Sequence, residues 1–204
     1  MTVAVEREGT RVSDHHAHEH DPECAVAHGD APYDPGDRRE LVAVYATPVA
    51  HHLLTWGREL GFRTVLVEPE PGQLTDGFRA ATDAIVTRSG DVEVGASTDV
   101  VVTDHDRDDL GPVMAPLVTA RPRWIGIMGS PRHAPPHVPA LEAEGVAADL
   151  IATVHRPIGL DIGSKAPAEI ALSTLAGLLA DRNGRDGGFP RPREQAPAPA
   201  ASGT

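Results

Sequence analysis

The chain has 204 residues, a formal net charge of −12, a single cysteine, a single lysine and 3% aromatic residues. Charge of that sign repels nucleic acid and anionic membrane surfaces, a lone Cys24 excludes an intramolecular disulfide framework, and no apolar run approaches the ~20 residues of a membrane span. The core must be built from Val, Leu, Ile and Ala, a composition that suits parallel strands buried on both faces.

The first forty residues combine many acids with five histidines and scattered Pro and Gly, without sustained apolar periodicity. They are expected to form a disordered arm over 1–40. Within it His15, His16, His18, His20, Cys24 and His28 supply the ligand types that suit zinc, nickel or copper, at irregular spacing. The opening residues lack the basic-then-apolar layout of a signal peptide, so the expected location is cytoplasmic.

From residue 41 the pattern alternates. Strands are expected over 41–46, 64–68, 99–103 and 124–128, and helices over 48–60, 108–120, 139–144 and 166–181; the stretch 84–87 reads either way. Thr47 is placed to cap the first helix with Pro48 at its first position, and Pro167 and Glu169 suit the first turn of the last one. Alternating strands and helices give an α/β, Rossmann-like three-layer fold with a mainly parallel sheet over 41–182. The Pro- and Ala-rich run 183–204 is expected to be a disordered tail.

Ligands of such sheets sit beyond the carboxyl ends of the strands, which directs attention to four loops. In the first βα turn Tyr45 and Thr47 stand where a dinucleotide fingerprint has glycine, so NAD(P) is not the expected ligand, and Glu68 reads as a solvated strand end. Thr103-Asp104-His105-Asp106 sets a histidine between carboxylates, a metal-binding or base-orienting arrangement that is equally an Asp-rich turn. Ser130 and Arg132 follow a buried strand and offer a hydroxyl and a charge to a phosphate, before prolines that must shorten the next helix. Gly159, Asp161, Gly163 and Lys165, the one lysine, precede the last helix, where glycine freedom, unpaired N–H groups and a full positive charge favour an anion. The bland alternative is a glycine-shaped loop in which Asp161 pairs with Lys165.

The segments Trp124-Ile-Gly-Ile-Met-Gly-Ser130, His155-Arg-Pro-Ile-Gly-Leu-Asp-Ile-Gly163 and Pro167-x-Glu-Ile-Ala171 resemble the C-terminal Rossmann-type domain of the XdhC/CoxI family, accessory proteins of xanthine dehydrogenase and related molybdenum hydroxylases. The similarity extends back through the strand ending in His105-Asp106 to Leu41. This resemblance implies a chaperone-like, non-catalytic accessory role with the molybdenum cofactor (molybdopterin) as the carried ligand. It further implies His105, Asp106, Ser130, Arg132, Gly159, Asp161, Gly163 and Lys165 as pocket residues. The implied partners are a molybdenum hydroxylase such as xanthine dehydrogenase and a separate polypeptide bearing the N-terminal XdhC domain, for which the polar arm is too short. Two alternatives stay open: an NAD(P)-dependent oxidoreductase using the same edge, and a metal-handling or regulatory module centred on the His-rich arm.

Overall fold

The computed structural model describes residues 39–188 apart from position 131. Five strands form one wholly parallel sheet: β1 (Glu40–Val44), β2 (Arg63–Val67), β3 (Ala84–Val86), β4 (Thr98–Val102) and β5 (Trp124–Ile127), in the order β3-β2-β1-β4-β5. This is the strand order of a Rossmann sheet, with the topological switch between β1 and β4. The ambiguous stretch 84–87 resolves as the short edge strand β3. His155 adds a parallel bridge beside Gly126 on the opposite edge.

Among the described residues six α-helices cover the sheet: α1 (Pro48–Glu59), α2 (Asp76–Ala81), α3 (Leu110–Thr119), α4 (His137–Ala143), α5 (Ala148–Ile151) and α6 (Pro167–Arg182). The short α2 and α5 have too little apolar periodicity to be seen in the sequence. α4 begins two residues before the expected start and runs only seven residues, which places Pro139 within the first turn where its missing N–H costs no intrahelical bond. Thr47 caps α1 as expected, its Oγ1 accepting from Ala50 N at 3.1 Å.

The alternation of side chains along a strand sorts the core into two layers. Val42, Val44, Val65, Val67, Val100 and Val102 face α3, α4 and α5 through Val113, Met114, Leu117, Leu141 and Ile151. Leu41 and Val101 face α1 and α6 through Leu53, Leu175 and Leu178, while Ala43 and Leu66 meet α1 and α2 through Leu54 and Phe78. Every residue of β1 is buried, as expected of a central parallel strand covered on both faces. The boundary set at residue 41 falls one residue inside β1, since Glu40 pairs with Arg63 and accepts from Thr98 Oγ1.

Residues 183–188 turn back onto the domain. Arg185 N donates to Ala180 O at 2.8 Å, and Gly187 lies against Leu160. The expected disorder of 1–38 and 189–204, and the whole set His15, His16, His18, His20, Cys24 and His28, lie outside the described residues. No helix among the described residues is long and apolar enough to cross a membrane.

Candidate functional site

The orientation of α6 is fixed at its far end. Arg182 donates to Asp99 Oδ2 (2.7 Å) and Ser97 O (2.7 Å), and Arg123 bridges Asp99 Oδ1 (2.5 Å) and Asp181 Oδ2 (2.6 Å), all at the amino ends of β4 and β5. Sixteen helical residues rise about 24 Å. α6 therefore runs back across the sheet, and its amino end opens on the same edge as the carboxyl ends of the strands.

At that edge Lys165 is exposed and forms no salt bridge with Asp161, so the internal pairing that would make it a structural residue does not occur. Ser164 instead organises the helix start: its Oγ accepts from Ala166 N (3.1 Å) and bonds Glu169. Gly163 sits at φ 69° with open space where a Cβ would stand. Gly159 differs. Its φ is 83°, and a Cβ there would lie 2.7 Å from Ser173 Oγ, while Leu160 N donates to Ser173 O. The close approach that Gly159 permits is thus to α6.

Ser130 Oγ accepts from Arg132 N at 3.2 Å, and the Arg132 side chain is exposed. Neither forms a hydrogen bond or ion pair with Lys165. On the β4 side, Asp104 Oδ1 accepts from Asp106 N (3.0 Å), and His105 Nε2 lies 3.6 Å from Asp106 Oδ1 with Asp106 largely in solvent. These are the hydrogen bonds of an Asp-rich turn, and among the described residues no group of three His, Cys, Asp or Glu is arranged to hold a metal.

The first βα turn is filled by protein. Tyr45 adopts φ 73°, buries its ring, and donates its hydroxyl to Asp109 Oδ1 (3.1 Å) beneath the Arg107 guanidinium, 4.9 Å from the ring centroid. Burial, then the Asp109 charge, pushes the phenol far above its ordinary range, so it stays protonated. Glu68 is not the solvated strand end expected: it is 1% exposed, and its carboxylate accepts from Ala46 N (2.7 Å) and Glu70 N (2.8 Å). The acid that would hold a ribose in a dinucleotide site is committed to backbone here. Thr103 completes the turn, taking Thr47 Oγ1 at 2.8 Å and donating to Val44 O or Tyr45 O.

Arg156, within the His155–Gly163 segment, carries no signal of its own in the sequence. Arg156 donates to Ser130 O (2.9 Å) and His133 O (3.1 Å), lies against the bare backbone of Gly129, and forms no salt bridge. His137, in the Pro-rich stretch, is 4% exposed with Nδ1 unpartnered. No periodic signal marks either residue, because their meeting depends on the loop after β5 folding against the segment after α5.

A parallel β3-β2-β1-β4-β5 sheet between helical layers, with a glycine-bearing loop feeding the last helix, defines a Rossmann-type domain. The model of the XdhC Rossmann domain matches residues 41–178, and the chain belongs to that family. It is 30% identical over 114 residues to the uncharacterised protein YqeB of Escherichia coli strain K12, a match spanning 56% of this chain and 19% of YqeB. A crystal structure of a xanthine dehydrogenase from Bacillus halodurans superimposes with a TM-score of 0.60 at 24% identity, covering 72% of this chain and 44% of that one, a likeness of fold. The chain thus spans under half the length of the relatives it matches.

Proposed function

We propose that this domain is an accessory factor for a molybdenum hydroxylase of the xanthine dehydrogenase type, holding the phosphate-bearing pterin cofactor on its way to the enzyme. The observation that carries this reading is membership of the XdhC Rossmann family over 41–178, joined to two exposed cations, Lys165 and Arg132, whose side chains form no hydrogen bond or ion pair among the described residues. When bound, the cofactor supplies the molybdenum chemistry of the recipient enzyme. The residues present fit its anionic end: Lys165 and Arg132 are exposed, Gly163 leaves open space, and Ser130 offers a hydroxyl. Phosphate bound there gains charge-assisted hydrogen bonds and the positive end of a sixteen-residue helix.

The domain's own contribution is to bind, orient and release, and it needs no catalytic group. The dinucleotide-oxidoreductase alternative loses its main support to Tyr45 and Glu68, which spend the first turn on internal bonds. The N-terminal XdhC-type portion, and any metal handling by the His-rich arm, enter this reading only as functions supplied alongside the domain.

The test is reconstitution of a cofactor-free hydroxylase with molybdenum cofactor, with and without the full chain. Stimulation by the wild type, and its loss in Lys165→Ala and Arg132→Ala at unchanged thermal stability, is the expected result. Cofactor retention should fall about tenfold to a hundredfold per charge removed, the equivalent of about 1.5–3 kcal/mol. Equal activation by wild type and both variants would overturn the assignment of this edge.

A further inference from the structure

A cavity of about 540 Å³ lies beside the loop after β5, lined from α4, α5 and the segment that follows α5. The cavity is open to solvent, and its wall is divided about equally between apolar groups, from Val138, Ile151 and Val154 among others, and the polar His133, His137, Arg156 and Glu142. The described residues include three buried side-chain nitrogens without a hydrogen-bond partner, and two of them belong to lining residues: His137 Nδ1, and Arg156 Nε, which lies against Gly129.

Buried polar atoms are almost always paired, and an unpaired one weakens the fold unless something else completes it. The Arg156 charge is equally incomplete. Its two terminal nitrogens are held by the carbonyls of Ser130 and His133, which fix the guanidinium plane, yet no carboxylate among the described residues answers it. The His137 imidazole forms no hydrogen bond at either nitrogen, so no protein partner dictates its tautomer. A rigid arginine, an uncommitted imidazole and an aliphatic wall together match a carboxylate attached to an apolar body. Glu142, exposed on the same lining, opposes ligands of higher negative charge.

We propose that this cavity is a binding site for a small apolar monocarboxylate, with its carboxylate directed to Arg156 and His137. The cavity adjoins the Ser130–Arg132 loop but is not lined by Ser130, Arg132 or Lys165, and the inference does not depend on the accessory role argued above. Burial and the neighbouring Arg156 charge hold His137 below its ordinary range, so the unliganded imidazole is neutral at pH 7 and can present an N–H to a carboxylate oxygen.

The experiment titrates the full chain with benzoate, hexanoate and inorganic phosphate at pH 7 by calorimetry, using wild type, His137→Leu, Ala148→Phe and Lys165→Ala. Saturable one-to-one binding of benzoate or hexanoate, weakened at least tenfold by His137→Leu and by the cavity-filling Ala148→Phe and unchanged by Lys165→Ala, is the expected result. His137→Leu keeps the buried volume while removing the unpaired nitrogen, so its melting temperature should equal or exceed the wild-type value. Three results would each overturn the proposal: no saturation by either carboxylate, tighter binding of phosphate than of benzoate, or a His137→Leu variant that melts several degrees lower with carboxylate affinity intact.

Discussion

Arg182 Nε donates to Asp99 Oδ2 at 2.7 Å across 83 residues of sequence, and this bond decides which way α6 points. Asp99 is fully buried at the start of β4, and Arg123 holds its other oxygen. One carboxylate therefore anchors two guanidinium groups and, through Arg123, also Asp181. Asp99→Ala leaves the largely buried Arg182 without a carboxylate and Arg123 with Asp181 alone, and should destabilise the domain by about 3–5 kcal/mol, within the range for a broken buried pair. Urea unfolding followed by circular dichroism measures this; a loss under about 1 kcal/mol would show that water replaces the carboxylate without penalty.

Gly159 and Gly163 look alike in the sequence and should respond differently to alanine. Both sit at positive φ, which costs an L-residue about 1–2 kcal/mol. Only at Gly159 does a Cβ also meet Ser173 Oγ at 2.7 Å and Thr174 N at 3.2 Å, the latter being backbone that cannot retreat. Gly159→Ala should lower stability well beyond Gly163→Ala, and adding Ser173→Ala to it should recover part of the difference. Equal losses for the two single variants would show that α6 shifts to admit the methyl.

The pH dependence of stability should carry a contribution from Asp83. Burial pushes its carboxyl up, but hydrogen bonds from Thr64 N (2.8 Å) and Thr64 Oγ1 (3.1 Å), with the charges of Arg58 and Arg63, outweigh burial and hold it below the ordinary range. A folded value below the unfolded one, near 3.9, means this contribution is present in full above that pH and is lost as pH falls through the folded value. Stability measured from pH 6 to pH 2.5 should fall less steeply at the acid end in Asp83→Asn than in wild type. Identical slopes would indicate that Thr64 binds the neutral acid equally well.

The elements whose apolar residues repeat over two turns or more, and the strands rich in valine, were legible because burial on a sheet face imposes a period that the sequence must keep. Thr47 and the two prolines at helix starts were legible for a related reason: a cap is a local bargain between neighbours in sequence. Glu68 was misread because its partner, Ala46 N, lies 22 residues away, and a strand-end glutamate looks the same whether it faces water or a backbone amide. Asp99, Arg156 and His137 are long-range in the same sense. Of the proposed anion edge, the composition of the last loop marks Lys165 and Gly163, whereas the packing of Gly159 on Ser173 needs the fold.

Glu68 also sets an expectation for nicotinamide dinucleotides. Its carboxylate accepts from Ala46 N and Glu70 N, and Glu70 in turn receives Arg107, whose guanidinium covers Tyr45. Opening the turn for a pyrophosphate would require breaking this chain of bonds and exposing the Tyr45 ring, while Tyr45 and Thr47 still present side chains where bare backbone is needed. The full chain should therefore show no saturable binding of NADH or NADPH by fluorescence titration at physiological concentrations. Glu68→Ala removes the acceptor of two backbone donors and should cost about 1.5–3 kcal/mol for each charge-assisted bond that water does not replace. Because Tyr45 remains in place, that variant should also fail to gain dinucleotide affinity. A tight NADH complex of the wild-type chain would instead make the first turn a cofactor cradle and the edge beyond it an oxidoreductase site.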